Sequence, residues 1–188
     1  RNGASGGVIT AVLCYLLEEG YIDAAIVVLQ GVPSPEKASV VIVHSREEVL
    51  ASAQSVYIPV SILDILSELK PGMRYAITCL PEQAASLRVL QHLGYGPAMG
   101  VKYVLGPYTG TTLEPAAIRC LLRSHGIHND DKIISLKWRE GEWPGFLEIK
   151  LASGQVIRTK KVYYNFLIPF FITQSSLQTI DFTNEFSD

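Results

Sequence analysis

The segment Ala24 to Gln30 (AAIVVLQ) runs for its whole length without a charged residue. A strand that is apolar at successive positions has to be covered on both faces, which is the habit of sheets flanked by helices. The flanking sequence supplies those helices. Before the run, Gly6 to Glu19 carries Val8, Ala11, Val12, Tyr15 and Leu16 at helical spacing, and Gly20 stops the turn. After it, Gly31-Val32-Pro33-Ser34-Pro35-Glu36 reads as a turn and Ser39 to His44 as a second β-branched run. Arg46 to Leu50 reads as a short helix capped by Ser45, and Val60 to Leu69 as another, ended by Pro71-Gly72.

The alternation continues. Arg74 to Leu80 is a predicted strand. Pro81 to Leu93 is a helix with proline at its start and Gly94 at its end. Met99 to Leu105 is a further strand, and Thr111 or Thr112 is expected to cap a helix that reaches Ser124 and stops at Gly126. Alternating strands and helices predict a layered α/β fold with a parallel sheet. From about residue 131 the period changes. Lys132 to Arg139, Gly145 to Leu151 and Gln155 to Lys160 are short strands joined by glycine-containing turns, the pattern of an antiparallel meander. Lys161 to Ile168 reads as a short helix and the remainder as loop. The expected class is therefore α/β (α+β overall), a layered N-terminal sheet followed by a smaller β-rich region.

Composition narrows the function. Of 188 residues, 48% are hydrophobic and 18% charged, which excludes a disordered chain. The net charge of −2 gives no footprint for nucleic acid. The apolar run Val8 to Leu17 is too short for a membrane helix, which needs about 20 residues, and has no signal-peptide flanks. The expectation is a cytoplasmic protein with no membrane span. Cys14, Cys79 and Cys120 are far apart and odd in number, so they read as buried thiols rather than a disulfide frame or metal site. The chain begins inside a glycine-rich loop and stops on Asp188, and is expected to be truncated at both ends.

Three stretches hold residue types that can carry chemistry. Gly3-Ala4-Ser5-Gly6-Gly7 fits the G-x-S-x-G elbow of serine hydrolases, a phosphate-cradling loop at a helix N-terminus, or a plain turn with Ser5 as helix cap. His125 and His128, near Asp130-Asp131, have ligand-like spacing but straddle Gly126 and read as loop histidines. Trp138 and Trp143 flank a tight turn and form either an aromatic wall for a ring system or the closure of a hairpin on the core.

Several segments, in order along nearly the whole chain, resemble the coenzyme F420 hydrogenase/dehydrogenase beta-subunit family. They are Ala4-Ser5-Gly6-Gly7-Val8-Ile9-Thr10-Ala11, Gly20-Tyr21-Ile22-Asp23-Ala24-Ala25-Ile26-Val27-Val28 and Leu80-Pro81-Glu82-Gln83. Trp143-Pro144-Gly145, Tyr164 to Phe171 and Asp181-Phe182-Thr183-Asn184-Glu185 complete the set. The resemblance implies a flavin-dependent oxidoreductase that moves electrons between FAD, an iron–sulfur cluster and an acceptor such as coenzyme F420, with a partner oxidoreductase subunit. It also implies an N-terminal region over 1–72 and a C-terminal domain over 73–188. Carried over position by position, it implies cofactor contacts from Ser5, Gly6, Gly7, Thr10, Ser55, Tyr57, Gln83, Trp143 and Asn184, with Val56 in place of a basic residue.

The chain departs from the family pattern at its thiolates. Glu82 stands in place of the cysteine of Leu-Pro-Cys-Gln, Leu105 in place of the one before Gly106, and Ser176 and Thr179 in place of Cys-x-x-Cys. Clusters depend on thiolate ligation, so none is expected. Glu82 is a candidate acid/base group in the former cluster pocket or a helix-start carboxylate. Three functions follow: a cluster-free flavoenzyme passing hydride between FAD and an organic substrate or coenzyme F420, a non-catalytic binding or scaffold subunit, and a serine hydrolase using Ser5.

Overall fold

The computed structural model of the chain describes residues 7–108, 112–128, 131–142, 145–160, 167–179, 181 and 183–188. Helix α1 (Val8–Glu18) turns at Gly20, with φ +69°, into strand β1 (Ala24–Gln30). Strand β2 (Ala38–Val43) returns beside β1 and leads to α2 (Arg46–Ala51). Ser45 caps α2 in a capping box: its hydroxyl accepts from Glu48 N at 3.3 Å while the Glu48 carboxylate accepts from Ser45 N at 3.2 Å. A 3-10 helix (Ile62–Glu68), strand β3 (Tyr75–Thr78), helix α3 (Pro81–His92), the single turn α4 (Gly96–Met99) and strand β4 (Val101–Leu105) follow.

The four strands form one sheet in the order β2-β1-β3-β4. Strands β1, β3 and β4 run parallel, as the alternation predicts, but β2 pairs antiparallel with β1, from Ala25↔Val43 to Gln30↔Ala38. The link between β1 and β2 is a short turn rather than a helix, and a short link can join only antiparallel neighbours. The sheet is thus mixed. Both faces are covered. Ala24, Ile26, Tyr75 and Ile77 point to one cluster with Ile62, Leu66, Ala84, Leu87 and Ala98, while Ala25, Val27 and Ala76 point to the other with Leu13, Cys14, Leu16 and Val49. The period of two along β1 and β3 therefore sorts α1 and α2 onto one face, and α3, α4 and the 3-10 helix onto the other.

Helix α5 (Ala116–Ser124) leads to the meander β5 (Ile133–Glu140), β6 (Phe146–Leu151) and β7 (Val156–Lys160), an antiparallel sheet in that order, as predicted. A separate core of Ala117, Leu121, Ile127, Leu136, Trp138, Leu147 and Ile149 lies beneath it. Gln30, at the end of β1, donates from Nε2 to the Leu136 carbonyl at 2.6 Å and joins the two sheets. The last elements are the short helices α6 (Ile168–Phe171) and α7 (Gln174–Gln178), where the sequence predicts loop; Thr173 caps α7 by accepting from Ser176 N. Two further expectations are corrected. The helix expected over Val60 to Leu69 is a 3-10 helix over Ile62–Glu68, and α5 starts at Ala116 with no side-chain cap from Pro115, Thr112 being engaged elsewhere and Thr111 lying outside the described residues. Of the helix expected over Lys161 to Ile168, residues 161–166 lie outside the described residues. Among the described residues, no helix is long and apolar enough to cross a membrane.

The register of β1 on β3 is held at its start by Asp23. Its carboxylate accepts from Arg74 N at 2.7 Å, Nε at 3.1 Å and Nη2 at 2.8 Å, and its own N–H donates to the Arg74 carbonyl at 2.8 Å. The Arg74 side chain, with its backbone N–H, lowers the Asp23 carboxyl from 3.8 to about 2. A carboxylate depressed on folding adds stability that is complete above its unfolded value and is lost as pH falls toward its folded value. We expect the urea midpoint of Asp23→Asn to lie below that of the parent by a constant margin above about pH 5, and the margin to shrink between about pH 4 and pH 2.

Candidate functional site at the carboxyl edge of the parallel strands

In open α/β sheets the carboxyl edge of parallel strands is where ligands are taken up. Here that edge brings together residues far apart in sequence. After β3 the chain passes through Cys79 and Leu80 into α3. Gln83 caps this start: its Oε1 accepts from Leu80 N at 2.9 Å and its Nε2 donates to the Val60 carbonyl at 3.3 Å. Glu82, in the first turn, accepts from the Thr112 hydroxyl at 3.0 Å. Thr112 in turn donates from its backbone N–H to Ser176 Oγ at 3.0 Å, and its carbonyl accepts from Thr173 N at 2.9 Å.

The adjoining strand end is closed by Asn184. This side chain is 1% exposed and donates from Nδ2 to the Cys79 carbonyl at 2.9 Å and to the Pro107 carbonyl at 3.5 Å; its Oδ1 is buried with no hydrogen-bond partner among the described residues. Asn184 has φ +62°, a left-handed conformation that asparagine tolerates better than most residues. It lies directly over Gly106, where a Cβ would overlap the Asn184 amide. Beyond it, Asp188 pairs with Val104 along β4, and Arg88 of α3 donates to the Phe186 carbonyl at 2.9 Å and to Asp188 Oδ1 at 2.7 Å. Burial drives the Cys79 thiol up to about 12, so it stays protonated near neutral pH and is a poor metal ligand.

The other predicted site residues are placed as follows. Gly7 stands at the N-terminus of α1 with φ +75° and, among the described residues, nothing within 4 Å of where a Cβ would stand, and Thr10 lies in the first turn. Helix α1 runs back along the sheet from its junction with β1, so its start lies toward the same carboxyl edge; Ile9 in that first turn and Leu105 at the end of β4 pack on one cluster. Tyr57 packs beneath the meander, with its ring 5.7 Å from that of Trp138 in an edge-on contact, and Ser55 precedes it half-buried. Trp138 is buried in that core, so for this ring the hairpin-closing reading holds. Ser5, Gly6 and Trp143 lie outside the described residues. His125 follows the last turn of α5, and the His128 N–H donates to Asp131 at 2.7 Å, closing a local turn. Thr112 was read only as a candidate helix cap because its polar partners come from segments 30 and 64 residues away, a distance no local pattern reports.

Residues 1–67 match the N-terminal model, and residues 72–188 the C-terminal model, of the coenzyme F420 hydrogenase/dehydrogenase beta subunit. The chain belongs to this family. It is 41% identical over 96 residues to a coenzyme F420-dependent sulfite reductase of Methanocaldococcus jannaschii, covering 50% of this chain and 15% of that protein. Its fold matches a chain of the F420-reducing [NiFe] hydrogenase complex of Methanosarcina barkeri with TM-score 0.73 at 18% identity, over 99% of this chain and 63% of that one. The chain therefore spans less than two thirds of the length of either relative. The β1–β3 pairing crosses the junction between the two family regions, so the four-stranded sheet is built from both.

The four residues that the resemblance sets at cluster-cysteine positions, none of them a thiol, are engaged in different surroundings. Glu82 and Ser176 are tied to Thr112, Leu105 packs on the α1 side of the sheet, and Thr179 follows α7. Among the described residues, no group of three or more His, Cys, Asp or Glu side chains is placed to hold a metal ion.

The contact of Asn184 with Gly106 predicts a coupled pair. Gly106→Ala should destabilise the protein by about 1–3 kcal/mol through overpacking. Asn184→Ala should cost about 1–3 kcal/mol by leaving the buried Cys79 carbonyl without its donor. In the double variant the overlap is gone, so urea unfolding should show a total loss smaller than the sum by roughly 1–2 kcal/mol.

Proposed function

We propose that the chain is the coenzyme-binding part of a flavin- or F420-linked oxidoreductase, working without an iron–sulfur cluster in this segment and beside a partner oxidoreductase subunit. Membership of the beta-subunit family over nearly the full sequence carries this reading. The names of the sulfite reductase and hydrogenase relatives support coenzyme F420 as one of the two redox partners. FAD is the other partner proposed, with a small organic substrate as the alternative to coenzyme F420.

The start of α1 is suited to a coenzyme phosphate. The first intrahelical bond runs from Ala11 N to Gly7 O, so the N–H groups of Val8, Ile9 and Thr10 have no carbonyl within the helix to bond. Among the described residues no side chain caps them, the first turn carries no acidic residue, and Val8 is 69% exposed. Open N–H groups and the positive end of the helix dipole then favour an anion. Ser5, Gly6, Gly7 and Thr10 are the proposed phosphate contacts, while Ser55, Tyr57 and Trp143 are proposed further along the coenzyme. Gln83 and Asn184, whose amides already hold backbone groups, are proposed to act by setting the strand edge against which the coenzyme rests. Flavin and deazaflavin carry hydride chemistry in their own rings, so the protein's part is to bind, orient and control access. A carboxylate at Glu82, already accepting one hydroxyl, is the proposed acid/base group nearest this edge.

The substituted thiolate positions favour one second reading, a binding or scaffold subunit that retains the fold without redox chemistry. The visible absorption spectrum of the purified protein, with iron assayed on the same sample, separates the two. A flavin spectrum without iron, or a bound chromophore after adding FAD or F420, supports the oxidoreductase; no binding of either leaves the scaffold reading. Thr10→Asp tests the phosphate site. A carboxylate in the first turn should stabilise the helix by about 0.3–1 kcal/mol. The same charge should weaken FAD or F420 binding, read by fluorescence titration, by roughly tenfold through repulsion of the phosphate.

A further inference from the structure

Thr112 sits between two of the substituted thiolate positions and is bonded to both. Its hydroxyl donates to the Glu82 carboxylate at 3.0 Å and its N–H to Ser176 Oγ at 3.0 Å. Around it a short antiparallel ladder forms: Thr173 N donates to Thr112 O at 2.9 Å, Glu114 N to Phe171 O at 2.7 Å, and Leu113 bridges Ile172. The ladder ties segment 112–114 to the turn between α6 and α7, and Glu82 ties it to the start of α3. Glu82, Thr112 and Ser176 are each half-buried, so these bonds are partly shielded from competing water.

A metal cluster joins the segments that ligate it. When its ligands are replaced, those segments need another tie or they separate from the sheet edge. We propose that Glu82, Thr112 and Ser176 form a metal-free latch, in which one carboxylate and two hydroxyl residues hold 112–114 and α7 against the start of α3. Two of the substituted positions, Glu82 and Ser176, thus have a joint purpose: both present an acceptor to the same threonine. Leu105 and Thr179 are not members. The latch is a positioning device for the carboxyl edge and does not depend on which coenzyme binds there.

Amide hydrogen exchange on the intact protein tests this locally. Thr112→Val keeps the side-chain shape and removes the hydroxyl donor to Glu82. The latch predicts that the amides of Thr112, Glu114, Thr173 and Ser176 exchange roughly tenfold faster in this variant, the loss of one charge-assisted bond. The amides of β1 should keep their protection. Glu82→Gln, which retains an acceptor oxygen, should stay close to the parent, and Glu82→Ala should match Thr112→Val. Unchanged exchange at those four amides in both Thr112→Val and Glu82→Ala would overturn the latch. Equal acceleration across β1 would also overturn it, since that would make Thr112 a matter of global stability. Anaerobic incubation of the parent with ferrous iron and sulfide should leave no bound iron; stable iron uptake would overturn its metal-free character.

Discussion

The fold rests on a very short parallel ladder. Strand β3 has only the stretch Tyr75–Thr78, yet it lies between β1 and β4 and pairs with both, with Tyr75, Ala76 and Ile77 buried. Parallel pairing demands crossover connections: α2 and the 3-10 helix lie in the one from β1 to β3, and α3 and α4 in the one from β3 to β4. Because β3 is fully enclosed, its backbone groups must be paired within the protein, and the pairing continues past its end. Cys79 N donates to the Leu105 carbonyl, and the Cys79 carbonyl takes the Asn184 amide. The same requirement that closes the sheet therefore shapes its carboxyl edge.

That edge joins structural and functional demands. Gly106 has to lack a side chain because Asn184 occupies the space above it. Arg88 and Asp188 then hold residues 186–188 along β4, covering an edge that would otherwise offer open ladder groups. On the other side, Glu82, Thr112 and Ser176 hold the last helices to the start of α3. The polar groups named at the edge, Asn184 Oδ1 excepted, are thus engaged in backbone and side-chain bonds, whereas the first turn of α1 carries no carboxylate.

Much of the fold was legible in local pattern. The apolar run of β1, the Ser45–Glu48 box at α2, proline at the start of α3 and the three short strands of the meander each carry their signal within a dozen residues. Family membership was legible too, because motifs in order survive substitution of single residues. Less legible were the direction of β2 and the helices α6 and α7. The direction of a neighbour depends on the link and on tertiary pairing, and helices of one turn carry too few residues to show a period.

The sequence by itself determined most of the strands and longer helices, which of their faces are apolar, and the family to which the chain belongs. Those properties follow from the order of side chains along a few turns of backbone. Only the tertiary structure decided what the substituted residues do. Glu82 and Ser176 meet through Thr112, Leu105 turns into the α1 cluster, and Asn184 is drawn inside over Gly106. Hydrogen bonds between segments 30 to 105 residues apart depend on how the chain closes on itself, and no local spacing encodes that closure.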